Sequence, residues 1–227
     1  IMEKLFFKFL CLLSLCLIVA CSPPLNVRIM PEYKSLDLPD SLTIGIYPEL
    51  PNITIDNESS LRDDLGDGDP KMVFSTLIKE TLPAEISHNT RFNKALFLDE
   101  AARVKLEKTQ LKINDQDVVH LMLPPEGQTF QSDEIKTEFV LFLQNLKTYE
   151  EYHSFYNAST RNISTSRELK CSFEFLIWDN MNGKIVSYGK SVSSDTVNLK
   201  MNETTWRKTV AGISWLIVEH TPFQRPT

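Results

Sequence analysis

The strongest constraint on this chain's fold lies in its last third. Cys171, Phe173, Phe175 and Ile177 alternate with Ser172, Glu174, Leu176 and Trp178, the period-two pattern of a strand. Asn180-Met181-Asn182-Gly183 follows, and residues 184–191 return as a second strand. Asn-Gly between two β-type runs is a strong hairpin signal. Residues 203–220 then place Trp206, Val210, Ile213 and Ile217 on one helical stripe, which Trp215 and Val218 widen. A stripe that broad predicts a helix laid across a sheet.

The remainder fits the same scheme. Residues 42–47 read as a strand ended by Pro48 and Pro51, and the polar residues 52–68 read as loop. Asp69-Pro70 marks a helix start, with Asp at the N-cap and Pro at the first helical position. Met72, Val73, Leu77 and Ile78 keep helical spacing up to an expected stop at Pro83. Residues 92–98 suit a strand, 99–112 a helix, and 118–123 a strand closed by Pro124-Pro125. A short helix near 131–136 and a strand over 139–146 complete the order. The expectation is an α/β (or α+β) single domain: a mixed sheet with helices packed on it, ending in a β-hairpin followed by a helix.

The N-terminus addresses location. Lys4 and Lys8 precede an apolar run over 9–20, broken only by Ser14. About 12 helical residues rise roughly 18 Å, against a hydrocarbon core of about 30 Å. The run therefore reads as a secretory signal covering residues 1–20. Leu17-Ile18-Val19-Ala20-Cys21 resembles the lipobox of bacterial lipoproteins. That resemblance implies cleavage before Cys21 and acylation of its thiol. Residues 21–41 would then be the lipidated cysteine, a stiff Ser22-Pro23-Pro24 tether and a lead-in arm, with 42–227 the folded domain. Leu38-Pro39 and residues 42–46 resemble the arm and strand of uncharacterised Bacteroidetes envelope lipoproteins. The element order also resembles small periplasmic domains such as those of the Tol-system propeller protein and the curli secretion lipoprotein.

The resemblance implies a membrane partner, held through acyl chains on Cys21, and possible envelope protein partners. Ser22 is not the Asp of inner-membrane retention, and residues 22–28 hold no acidic run, so the expected location is the outer membrane's periplasmic face. The chain's net charge is −6, and loss of Lys4, Lys8 and Glu3 makes it more negative. That balance excludes nucleic acid as a partner. With Cys11 and Cys16 in the signal and Cys21 acylated, Cys171 stands alone, so neither a disulfide nor a cysteine metal cluster is expected. Cys171 reads as a small core hydrophobe.

Candidate chemistry is sparse. The acidic loop Asp63, Asp64, Asp67 and Asp69 invites a Ca²⁺ reading, yet no register gives an EF-hand: from Asp63 the third position is Leu65 and the twelfth Phe74. An acidic turn ending in a helix cap is the favoured explanation. His88, His120, His153 and His220 form no ligand pair, so no metal is assigned. Neither a Gly-x-Ser-x-Gly elbow nor a phosphate-cradling Gly-rich loop occurs. No catalytic residue and no cofactor are assigned, and an enzyme is the less favoured reading. Glu150 and Glu151 sit among Tyr149, Tyr152, Phe155 and Tyr156, a cluster that suits either a binding surface or rings packed on the core. Asn52, Asn57, Asn157, Asn162 and Asn202 each begin Asn-x-Ser/Thr. The favoured function is thus a lipid-anchored, non-enzymatic binding or scaffolding domain. A periplasmic ligand-binding protein or enzyme without a motif, and a eukaryotic secreted N-glycoprotein, are the alternatives.

Overall fold

The computed structural model describes residues 26–36, 38–39, 41–49, 52–98, 105–130, 137–157, 161–197, 201–219 and 221–225. The elements run β1 (Val27–Ile29), β2 (Leu42–Pro48), β3 (Thr54–Ile55), α1 (Glu58–Leu65), α2 (Pro70–Asn89), β4 (Phe92–Phe97), β5 (Glu107–Lys112), β6 (Val118–Leu123), β7 (Phe139–Asn157), β8 (Asn162–Asp179), β9 (Lys184–Val197) and α3 (Glu203–Val218). Seven strands form one sheet in the order β1-β9-β8-β7-β2-β4, with β3 alongside β7. β2 is parallel to both β4 and β7, and the β7–β8–β9 meander is antiparallel. The sheet is therefore mixed. Its parallel β2–β4 pair requires a crossover, which α1 and α2 supply.

Both faces of the sheet are covered. On one, α2 and α3 pack on Leu141, Leu143, Phe173, Phe175 and Ile177 together with Phe74, Leu82, Trp206, Ile213 and Ile217. On the other, the separate β5–β6 hairpin brings Val119, Leu121 and Leu123 against Val140, Phe142, Leu176, Trp178 and Tyr188. Double coverage explains why Leu176 and Trp178 interrupt a simple apolar/polar alternation in β8: a strand buried on both faces reads as a nearly continuous apolar run. Gln144 fixes the hairpin in place. Its Oε1 accepts from Met122 N–H at 2.7 Å and its Nε2 donates to Met122 C=O at 2.8 Å, so the amide substitutes for a neighbouring strand's backbone.

The next residue bends β7. Asn145 adopts φ 51° where the β7–β8 register shifts between Gln144 and Lys147. This bulge inserts one residue, so Leu143, Leu146 and Thr148 are all buried. Asn tolerates the left-handed conformation, and its Nδ2 donates to Glu174 at 2.7 Å.

The helix starts follow their sequence signals. Asp69 caps α2 by accepting from Met72 N–H, and Asn202 caps α3 by accepting from Thr205 N–H. Elsewhere tertiary packing overrides the expectation. Pro83 does not end α2, which continues to Asn89. An interior proline costs about 3 kcal/mol, and burial of Leu82 and Ile86 on the sheet offsets it. The expected loop over 52–68 contains β3 and α1, held by buried Ile53, Ile55 and Leu61. The expected helix over 99–112 is strand β5 from Glu107 onward, while residues 99–104 lie outside the described residues. Asn114 decides this reversal: its Oδ1 accepts from the backbone N–H of Gln116 and Asp117, closing the turn that pairs β5 with β6. Trp215 does not widen the buried stripe of α3 but faces solvent. No helix among the described residues is long and apolar enough to cross a membrane.

Candidate functional site

The β7–β8 hairpin is much longer than the sheet it belongs to. β2 accompanies β7 only over residues 139–143 and β3 only over Lys147 and Thr148. On the other side β9 accompanies β8 no farther toward the hairpin's end than Arg167. Beyond these points, among the described residues, the two strands pair only with each other. They form a two-stranded ribbon over 153–157 and 162–166; this ribbon, together with residues 149–152, whose partners 167–170 still pair with β9, is here termed the arm.

The arm carries apolar side chains outside either core. Tyr152, Phe155, Tyr156 and Ile163 are 62%, 59%, 67% and 72% exposed. Cross-strand register assigns their faces: Tyr152 stands opposite Arg167 and Tyr156 opposite Ile163, whereas Phe155 lies on the reverse face with His153. The His153 and Phe155 rings stack 6.4 Å apart, and the Arg167 guanidinium lies 5.8 Å from the Tyr152 ring centre. Apolar groups therefore occupy both faces.

A polar network fixes the arm's base. An open depression of about 760 Å³ is lined by Asp56, Asn57, Ser60, Lys147, Glu150 and Arg167, with Tyr149 and Tyr152 at its side. Glu150 Oε2 accepts from Arg167 Nε at 2.7 Å and from Tyr152 Oη at 2.9 Å, and lies 2.6 Å from Arg167 Nη2. Burial pushes the Glu150 carboxyl up, but hydrogen bonds from Arg167, Ser60, Tyr152 and Asn57 outweigh it and hold its pKa at about 2. Arg167 Nη2 also donates to Ser60 Oγ at 2.9 Å, and Lys147 Nζ pairs with Asp56 at 2.7 Å. These charges are compensated within the pocket. Chemically it is a clamp between α1 and the arm.

On the arm's reverse face Glu151, His153 and Glu168 converge. Lys170 already supplies their counter-charge: its ammonium bonds Glu151 and lies 3.4 Å from Glu168, holding the Glu151 carboxyl below its usual value. At the opposite end of the molecule, a cavity of about 450 Å³ lies between β5–β6 and the main sheet. Trp178, Ile185 and Leu123 line it, with Glu32, Glu107 and Lys184 also contributing.

The residues singled out from sequence are scattered. Cys21 and His220 lie outside the described residues. Asp63 and Asp64 belong to α1, and Asp64 Oδ2 accepts from Trp206 Nε1 at 3.1 Å, while Asp69 is the α2 cap. Asp67 lies between the two helices, and the four are not brought together as a ligand set. His88 and His120 are exposed, and Cys171 is fully buried, which pushes its thiol pKa up to about 12. Asn57 is buried, its Oδ1 accepting from Thr148 Oγ1 at 2.9 Å and its Nδ2 donating to Glu150; an N-linked sugar there would break the clamp. The arm itself escaped sequence reading, although the ring-rich stretch 149–156 was its signal.

No family model matches the chain, and no curated protein is a significant match. Among solved structures it is similar to the PelC dodecamer from Paraburkholderia phytofirmans, at 10% identity over 88% of this chain and 98% of that one, with TM-score 0.37. It is also similar to a neuraminyllactose-binding hemagglutinin homolog from Helicobacter pylori, at 10% identity over 81% and 82%, with TM-score 0.40. A hypothetical protein from Chlamydia trachomatis matches at 9% identity over 78% and 98%, with TM-score 0.33. Likeness at this level assigns no role.

Proposed function

We propose that this protein is a lipid-anchored component of a bacterial cell envelope, held by acyl chains on Cys21 at the periplasmic face of the outer membrane, and that it works as a non-enzymatic binding domain. The observation that carries the binding reading is the arm. A two-stranded ribbon is marginal by itself in water, and exposed rings and Ile163 add nothing to the core. An ion-pair clamp nevertheless holds this ribbon at its root. Exposed apolar surface on a rigidly rooted projection is what an interaction element requires. The lipobox-like Leu17-Ile18-Val19-Ala20-Cys21 supports the anchor.

Intact mass measurement of the mature protein tests the anchor. The expected product lacks residues 1–20 and carries acyl mass, which Cys21→Ala abolishes; a product retaining residues 1–20, or unacylated at Cys21, defeats the anchoring. Capture from solubilised envelopes tests the binding role. The wild type should retain a component that a Tyr152→Ser/Phe155→Ser/Tyr156→Ser variant loses, and identical retention by both would exclude the arm as the binding element.

A further inference from the structure

We infer that the arm inserts its exposed side chains Tyr152, Phe155, Tyr156 and Ile163 into the polar headgroup layer of a lipid bilayer, giving the protein a second membrane contact independent of acylation. This deepens the binding role proposed above by naming the arm's partner. Three observations converge on a lipid surface.

The first is charge. Residues 152–167 contain no Asp or Glu, in a chain that has 30 of them and a net charge of −6, while Arg161 is exposed on the same segment. Depletion of acid beside aromatic and aliphatic side chains is the composition suited to an anionic or zwitterionic headgroup layer. The second is the distribution of apolar groups. Tyr152, Tyr156 and Ile163 occupy one face and Phe155 the other. A protein partner docked on one face would leave the other exposed, whereas immersion covers both. The outer backbone edges of the ribbon still need hydrogen-bond partners, which restricts it to headgroup depth and keeps it out of the hydrocarbon.

The third is direction. Val27 pairs with Gly189 and Ile29 with Ser187, while β9 runs on toward Val197 opposite Arg167. The chain therefore enters β1 from the arm's side. Gly189 faces Phe175 of β8, and from there to Ile163 the strand covers roughly 40 Å. From Val27 back to Cys21 the chain extends at most about 20 Å. With roughly 40 Å of strand against about 20 Å of tether, the anchor and Ile163 share one plane only when the strand is inclined by about 60° from the membrane normal, and both contacts lie on the same side of β1.

The test uses the chain from Ser22 to Thr227, which keeps every described element and both cores but lacks the acyl site. Tyr156→Trp is introduced as a reporter, and the protein is floated with phosphatidylcholine vesicles, with and without phosphatidylglycerol. Brominated lipids serve as quenchers. Expected are co-flotation strengthened by phosphatidylglycerol, quenching above that of the parent chain, and partition weakened roughly tenfold or more by Tyr152→Ser/Phe155→Ser/Tyr156→Ser. Near-UV circular dichroism of the serine variant checks that it is folded. A parent chain that fails to float, or a folded serine variant that floats equally well, overturns the inference. So does arm-dependent dimerisation in light scattering without vesicle binding. None of these outcomes alters the acyl mass at Cys21, so failure here is distinguishable from failure of the anchor.

Discussion

The two halves of the β7–β8 hairpin are one continuous ladder with opposite fates. Over 139–148 and 171–179 it is the centre of the molecule, with helices on one face and β5–β6 on the other. Over 153–157 and 162–166 it has no sheet neighbour among the described residues, and over 149–152 it has one only on the β9 side. Backbone pairing is common to both halves, so it does not distinguish them. Side chains do: in the inner half apolar layers lie over both faces, and in the arm the rings of Tyr152, Phe155 and Tyr156, on both faces, are more than half exposed. The lesson is that hydrogen bonding continues the strand while burial decides which part of it carries the stability.

Truncating a ring in each half breaks this comparison most sharply. Phe175 is fully buried between β8 and the helices. Phe175→Ala should lower unfolding free energy by about 3–5 kcal/mol, read as a lower urea midpoint. Phe155→Ala, the same change on the arm, should fall within about 0.5 kcal/mol of wild type. Equal losses would mean that the arm is covered in solution.

The clamp joining the halves comes next. Glu150 titrates near 2 in the fold against an ordinary value of 4.5. The unfolded chain binds its proton more readily, so this contribution is present above about pH 4.5 and is lost as pH falls toward 2. With partial solvent screening allowed for, it amounts to roughly 2 kcal/mol. Glu150→Gln should flatten stability between pH 2 and pH 4.5 by about that much. An unchanged pH profile would mean that the Arg167 pairing contributes nothing. Amide exchange sharpens the same boundary: protection should fall from β7 residues 139–148 to residues 149–157.

A smaller effect sits at the bulge. Asn145 takes φ 51°, so Asn145→Val should cost about 1–2 kcal/mol because a β-branched residue is disfavoured there. Asn145→Gly should cost less, losing only the side-chain bonds to Glu174 and to the His120 carbonyl. If valine proves the milder change, the bulge is not held by the left-handed backbone.

Much of the inner half is legible in the sequence, and little of the arm is. The hairpin over 171–191 and the helix after it follow from alternation, Asn-Gly and a helical stripe, because both faces of β8 are buried and local pattern agrees with tertiary packing. β5 is misread because Lys108, Gln110 and Lys112 are good helix formers; the Asn114 turn and pairing with β6 override them. β7 is read only to residue 146 because Asn145 shifts its alternation by one residue. Past Thr148 the strand leaves both apolar layers, so periodicity carries no signal. The rings at Tyr152, Phe155 and Tyr156 are visible as residues, but not as a projection. The clamp is invisible for another reason: Asn57, Ser60, Glu150 and Arg167 come from three elements and meet only in the fold.

The smallest expected effect concerns those three rings together. Tyr152→Ser/Phe155→Ser/Tyr156→Ser removes large apolar groups from positions already wet, so the transfer contribution seen on burial is absent from folding. Tyr152 alone has a role in the clamp, its hydroxyl donating to Glu150. The variant's melting temperature should therefore fall only slightly, and a Tyr152→Phe variant should account for most of the fall. A large loss distributed over all three positions would show the rings packed against protein, and the contrast between the halves of the hairpin would disappear. A small loss leaves the rings outside the energetics of folding, where their apolar surface is free to act on a partner.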